Sequence, residues 1–406
     1  MTFQSMTHRK TFLFQINVTR ACNLRCTHCY ISSEKKGNSR HMTEEEFLHT
    51  IDGIVEHMRH DAEFNNKYSD VEIHVIGGEP TMLGLPFFTT VLPVAKKKLC
   101  EIKQEVHFSI VTNLITDESV EIACLFDQVS TSWETAHRFL KPRHEEYWQK
   151  HVNEMVDKNK KGLSWRHLSI TSSITQPMVD MGAHSILDKL TGMGIKNIHF
   201  GFFIPSGDGE TNKDELQPAH ADTSQFYIDA LDWYLRYRDD PDLWINPMES
   251  WISAVFYNHS FDDVVCPIVH GALDIDADGH TISCIERGGV MDFPSHGSIF
   301  ERSRDSVDNS KVIASDASTG KFVRNIHDIL TSPSYISEVV KAKRLPNFCQ
   351  SCEERHLCQA NCGVLHAQWD QEGECPGFKR FIKHVRYLVE EKGLRPKTEM
   401  TENSHG

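Results

Sequence analysis

Phe12-Leu-Phe-Gln-Ile-Asn-Val-Thr19 runs through Arg20-Ala21 directly into Cys22-Asn-Leu-Arg-Cys26-Thr-His-Cys29. The first part is apolar and β-branched and reads as a buried strand, and the second places three thiols on the loop that leaves it. Working outward, further strand candidates fall at 71–76, 106–111, 128–132, 167–173 and 196–203, separated by amphipathic helical stretches. The helix predicted from 43 to 60 opens with a capping box, in which the Thr43 hydroxyl and the Glu46 carboxylate satisfy each other's orphan backbone donors. Six β-α repeats predict an α/β fold whose parallel sheet curls into a partial (β/α)6 TIM-like barrel, because parallel strands need helical crossovers on the outside. A flat doubly wound sheet is the alternative. Loops at the carboxyl ends of barrel strands build active sites, and the cysteine trio follows the first strand.

The 406 residues carry 43 Lys and Arg against 57 Asp and Glu, a net charge of −14 that repels a phosphate backbone and argues against nucleic acid as a partner. The polar N-terminus lacks a cleavable apolar block and no apolar run approaches a membrane span, which predicts a cytosolic protein. Twelve cysteines in such a chain point to metal or redox chemistry rather than a disulfide framework. Three sit at 22–29 and seven between Cys266 and Cys375, so two metal-bearing regions are expected: a barrel over 1–240 and a second, metal-stapled domain over 241–392, with a polar tail at 393–406. Isolated Cys100 and Cys124 read as small buried hydrophobes. Trp133, Trp148, Trp165, Trp244 and Trp251 are scattered in the manner of core residues, with a substrate groove as the other use.

Three thiolates suit an iron-sulfur cubane whose fourth iron stays open, or a zinc knuckle completed by His28. The pattern Cys-x3-Cys-x2-Cys after a first barrel strand resembles the radical S-adenosylmethionine (radical SAM) superfamily. Gly77-Gly78-Glu79-Pro80 closes the second strand and resembles that family's GGEP segment, and Thr112-Asn113 ends the third. The resemblance implies S-adenosylmethionine and a 4Fe-4S cluster held by Cys22, Cys26 and Cys29, with His28 beside them. The two glycines would let backbone approach the ligand, and Glu79 would accept from the methionyl ammonium. Ser130 and Ser132 would reach the nucleoside, although Ser132-Trp133-Glu134 departs from the family's Ser-Leu-Asp-Gly-like text. Arg138 or Arg143 would clamp the methionyl carboxylate.

The C-terminal cysteines resemble the SPASM extension, which binds two auxiliary 4Fe-4S clusters. Carried over, the scheme gives Cys266, Cys284 and Cys362 to the first and Cys349, Cys352, Cys358 and Cys375 to the second. Taken alone, Cys349 and Cys352 would read as a zinc ribbon. Two cubanes want eight ligands and seven cysteines are present, so the eighth is Asp262, Asp263, His259 or His270, or the first auxiliary cluster has an open site.

The resemblance implies reductive cleavage of S-adenosylmethionine to a 5′-deoxyadenosyl radical and hydrogen abstraction from a peptide or protein residue. Auxiliary clusters would accept the leftover electron in an oxidation or crosslinking. Radical oxidation or epimerisation of a sugar or amino acid is the alternative, and an electron-transfer or sensor protein would leave the GGEP segment without a purpose. Sulfatase-maturase-like enzymes carry an aspartate after the equivalent of Cys284, whereas this chain has Ile285 and then Glu286, a candidate general base. With 21 residues ahead of Cys22 and no leader-binding domain there, a separate carrier protein would deliver a ribosomal peptide, or the barrel would read it directly. A flavodoxin- or ferredoxin-type donor would supply electrons.

Overall fold

The computed structural model describes residues 11–103, 105–160, 168–260, 266–290, 294–300 and 325–397. The expected strands form: β1 (Thr11–Thr19), β2 (Asp70–Gly77), β3 (Val106–Val111), β4 (Gln128–Thr131), β5 (Leu168–Ile174) and β6 (Asn197–Phe202). Each pairs in parallel with the next in sequence, with no strand exchanged. This unbroken order gives a partial TIM-like barrel and excludes the doubly wound alternative, which needs a reversal of strand order.

The sheet continues past the predicted six strands. β7 (Trp244–Asn246) extends the β6 edge in parallel, while β8 (Ala272–Ile275) pairs in parallel with β1. β8 then turns back through Asp276-Ala-Asp-Gly279 into β9 (His280–Ile282), and β10 (Gly297–Ser298) completes ten strands ordered β10-β9-β8-β1-β2-β3-β4-β5-β6-β7. The sheet therefore runs across position 240. Strands of three or four residues carry too little alternation to be read from sequence.

The helix Glu44–His60 has its capping box, with Thr43 Oγ1 accepting from the Glu46 amide at 3.1 Å and Glu46 Oε2 from the Thr43 amide at 2.9 Å. Phe47, Ile51, Ile54 and Met58, at helical spacing, are fully enclosed against the sheet. Trp133, Trp148 and Trp251 lie in the core, Trp244 lines a polar cavity inside the barrel, and Trp165 lies outside the described residues. Two expectations fail: Cys100 is exposed at the end of helix Leu85–Cys100, and Cys124 is only half-buried. The helices end at Cys100 and just before Cys124, and their buried faces are supplied by Leu99 and by Ile122 and Ala123 instead. Among the described residues no helix is long and apolar enough to cross a membrane.

Candidate active site

The cysteine loop is held by backbone packing on three sides. The Gly78 amide donates to Thr19 O and the Glu79 amide to Ala21 O, both at 2.8 Å. A Cβ on Gly77 would meet Thr19 O at 2.4 Å, and one on Gly78 would meet Ala21 O at 2.2 Å. The close approach that demands these glycines is thus to the chain's own loop, just ahead of Cys22. On the far side, Gly207 (φ 55°) and Gly289 lie so near Tyr30 O that a Cβ would stand 2.0 and 1.7 Å from it. The Gly209 amide donates to Cys29 O at 3.1 Å, and Lys36 pairs with Asp208 at 2.6 Å.

Burial pushes the Cys22 thiol up to about 11 and the Cys26 thiol up to about 12, and raises Cys29 as well. Three such sulfurs are neutral as free thiols and become stable thiolates only against a cation, which fits a metal-bearing role.

Glu79 is buried and accepts four hydrogen bonds. Its Oε1 accepts from the Thr81 amide (3.1 Å), Thr81 Oγ1 (2.7 Å) and Thr112 Oγ1 (2.7 Å), and its Oε2 from the Asn113 amide (2.7 Å). Three donors crowd Oε1, while Oε2 accepts one and keeps an acceptor site of its own. The carboxylate also ties the β2 end to the β3 end. Asn113 Nδ2 donates to Asn23 Oδ1 at 2.6 Å, which links that knot to the cysteine loop. Pro80 opens the 3-10 turn Pro80–Leu83 behind Glu79, buried.

Sequence reading passed over Glu134 as a site residue. Its Oε2 lies 3.3 Å from both Arg138 Nη1 and His28 Nε2, and its Oε1 accepts from the Ser173 amide at 3.0 Å. A carboxylate three residues past the end of β4, in place of the expected Asp-Gly text, was the available signal. Its contacts with His28 and Arg138 hold its carboxyl below the usual range despite burial.

Arg138 lies within electrostatic reach of Cys22, Cys26 and Glu79, and its Nε is buried without an acceptor. An orphaned guanidinium donor in such a place calls for an anion that the chain does not provide. Arg143, the other candidate, is exposed on helix Pro142–Lys160. Ser130 Oγ faces the barrel interior, 3.1 Å from Thr171 Oγ1, while Thr131 points outward to Trp148. Ser132 lies beyond the strand and is half-buried.

Below the cysteine loop, Glu286 Oε2 accepts from Ser206 Oγ at 2.7 Å, and burial raises its carboxyl. Asp274 on β8 is its electrostatic neighbour, with both oxygens enclosed and no hydrogen-bond partner, and its carboxyl is pushed well up. Tyr30 lies within reach of both. Asp274 was missed because a four-residue strand gave no register from which to read its direction.

The C-terminal cysteines fall into two groups. Cys362 is within electrostatic reach of Cys266 and Cys284, while Cys349 and Cys358 are within reach of one another and of Cys375, with Cys352 beside Cys349. Asp262 and Asp263 lie outside the described residues. His259 is exposed, and His270 ends the short helix that follows Cys266.

Residues 16–162 match the model of the Radical SAM superfamily, and the chain carries a radical SAM domain. No curated protein sequence matches it. Over nearly its whole length it shares its fold with solved structures. Native anSMEcpe with bound AdoMet and Cp18Cys peptide gives 14% identity, a TM-score of 0.65, 98% of this chain and 100% of that one. Streptococcus suis SuiB bound to precursor peptide SuiA gives 14% identity, a TM-score of 0.56, 90% of this chain and 74% of that one.

Proposed function

We propose that the protein is a radical SAM enzyme that oxidises or crosslinks a residue of a peptide or protein, with SPASM-like auxiliary clusters accepting an electron. The observation that carries the S-adenosylmethionine reading is Arg138, a buried cation beside Cys22 and Cys26 with a donor left over. In this reading Cys22, Cys26 and Cys29 hold the first 4Fe-4S cluster, and Arg138 binds the methionyl carboxylate. Glu134 orients Arg138 and His28. The glycine pair and Glu79 fix the loop's position, with Thr112 and Asn113 as their braces. S-adenosylmethionine and a 4Fe-4S cluster held by these residues would supply the radical chemistry for removing one hydrogen atom from the substrate.

The remaining oxidation releases one electron, assigned to the auxiliary clusters on Cys266, Cys284 and Cys362 and on Cys349, Cys352, Cys358 and Cys375, and one proton. Glu286 is the proton acceptor in this reading, with Asp274 next to it; burial makes both carboxyls stronger bases than in water. The peptide class rests on the shared fold with two proteins solved with peptides bound.

The test is an anaerobic assay of cluster-loaded protein with a chemical reductant, scoring 5′-deoxyadenosine and the mass of short peptides encoded beside its gene. The expected result is 5′-deoxyadenosine together with a peptide lighter by two hydrogens. No 5′-deoxyadenosine from fully loaded protein would refute the enzyme reading. Cleavage that peptides leave unchanged, but that a sugar or amino acid accelerates with its own oxidation, would replace the substrate class.

A further inference from the structure

On the outer face of the barrel two histidines and a carboxylate converge. His57 lies in the last turn of helix Glu44–His60 and is 2% exposed. His327 lies on the helix Ile326–Leu330, brought against the barrel where Ile326 packs on Gly53; a Cβ there would meet Ile326 Cδ1 at 3.3 Å. The two Nδ1 atoms face each other at 3.2 Å, with ring centroids 5.4 Å apart. Asp61 Oδ2 is 4.0 Å from His327 Nδ1, and all three ligand atoms lie within 4.8 Å of one another. Asp61 Oδ1 is already used, accepting from the Phe64 amide at 2.8 Å, so the second oxygen is free to point at the histidines.

We propose that His57, Asp61 and His327 form a site for a divalent cation of the zinc class. With zinc-nitrogen bonds of about 2.0–2.1 Å and tetrahedral angles, two ligating nitrogens stand about 3.4 Å apart, close to the 3.2 Å between the Nδ1 atoms. A hydrogen bond between the imidazoles accounts for that spacing but not for the carboxylate oxygen beside them, which at 4.0 Å from His327 Nδ1 needs a small side-chain movement to join the same ion. Two neutral imidazoles and one carboxylate make a donor set suited to zinc and leave the fourth position open. Next to it lies a cavity of about 370 Å³, lined by His57, Asp61, Phe64 and Tyr68 among others, which supplies room for a water ligand. The cation would tie the helix at 326–330 to the barrel.

The test uses cluster-loaded protein prepared anaerobically, cleared of loose metal on a chelating resin, offered Zn²⁺ and desalted. The expected result is one retained zinc per chain, an X-ray absorption spectrum with nitrogen and oxygen but no sulfur in the first shell, and a raised thermal transition. His327→Ala, at a half-buried position, should weaken zinc binding by about 100-fold or more while leaving iron content and 5′-deoxyadenosine formation unchanged. Asp61→Asn keeps the Oδ1 cap on Phe64 and serves as the second variant should His327→Ala misfold. Failure of the wild type to retain zinc, sulfur in the first shell, or equal retention in a folded variant would overturn the site.

Discussion

Arg20, one residue past β1, grips Asp276, one residue past β8, with Nη2 2.5 Å from Oδ2 and Nε 3.1 Å from the same oxygen. Both side chains are 5% exposed, and Arg20 reaches on to Asp278 at 2.6 Å while Lys35 meets Asp276 at 3.0 Å. These ion pairs fasten the hairpin that leads to Cys284 onto the loop that begins at Cys22, adding to the β1–β8 pairing and the Ser32–Gly289 backbone bond that join the two cysteine regions.

Removing one partner of a buried pair leaves an uncompensated charge, at about 3–5 kcal/mol. For Arg20→Ala we expect the lower end of that range, since Lys35 still faces Asp276. The variant should show a lowered thermal transition and reduced iron at both ends of the chain. Unchanged melting and iron would mean that the hairpin is held by backbone pairing alone.

Arg138→Lys keeps a cation beside Glu134 but replaces a planar fork by a point charge. With its bidentate geometry gone, affinity for S-adenosylmethionine should fall about 10- to 100-fold, the equivalent of one or two charge-assisted hydrogen bonds. Iron content should hold, and Arg143→Ala should bind as the wild type does, because Arg143 is exposed. Equilibrium binding to the cluster-loaded protein measures both.

His199 lines the polar barrel cavity, with Nε2 3.0 Å from Asn197 Oδ1, and burial pushes its imidazole down to about 4. In the unfolded chain it titrates near 6.5. The folded state therefore resists a proton that the unfolded state takes up, and the contribution is full above about 6.5 and lost as pH falls toward 4. Each unit of difference is worth about 1.4 kcal/mol, and partial exposure trims the total to about 2 kcal/mol. Urea midpoints for His199→Gln should fall less steeply than those of the wild type between pH 6.5 and 5.

The six barrel strands were legible because they are short stretches with β-branched or aromatic residues, bounded by turn signals and recurring between amphipathic helical stretches, and the capping box at Thr43 marked a helix start to the residue. β7 to β10 were not, since each spans four residues or fewer and its partners lie far along the chain. Cysteine spacing located the groups, but the glycines at 77 and 78 illustrate the limit of motif reading. They serve the packing of the chain against itself, which only the position of Thr19 and Ala21 reveals. Glu134 and Asp274 acquire meaning from neighbours far along the chain, Ser173 at 39 positions from Glu134 and Tyr30 at 244 from Asp274.

The grouping of the C-terminal cysteines makes its own prediction. Cys362 is near Cys266 and Cys284, whereas Cys358 is near Cys349 and Cys375. Although Cys358 and Cys362 are four positions apart, their substitution should have separate consequences. Cys358→Ala, in a group of four, removes one of four ligands and should leave a labile or three-iron cluster. Cys362→Ala, in a group of three, leaves two ligands and should cost the first auxiliary cluster outright, about four iron per chain. In both variants 5′-deoxyadenosine should still form, because the loop at Cys22, Cys26 and Cys29 is held by the Gly78, Gly209 and Gly289 contacts rather than by those clusters, while substrate oxidation should fail. If the first auxiliary cluster of the intact protein keeps an iron without a protein ligand, cyanide should change its spectrum. Indifference to cyanide and to substrate would mean a complete ligand set, and loss of the same iron in both variants would mean that the seven cysteines form one site.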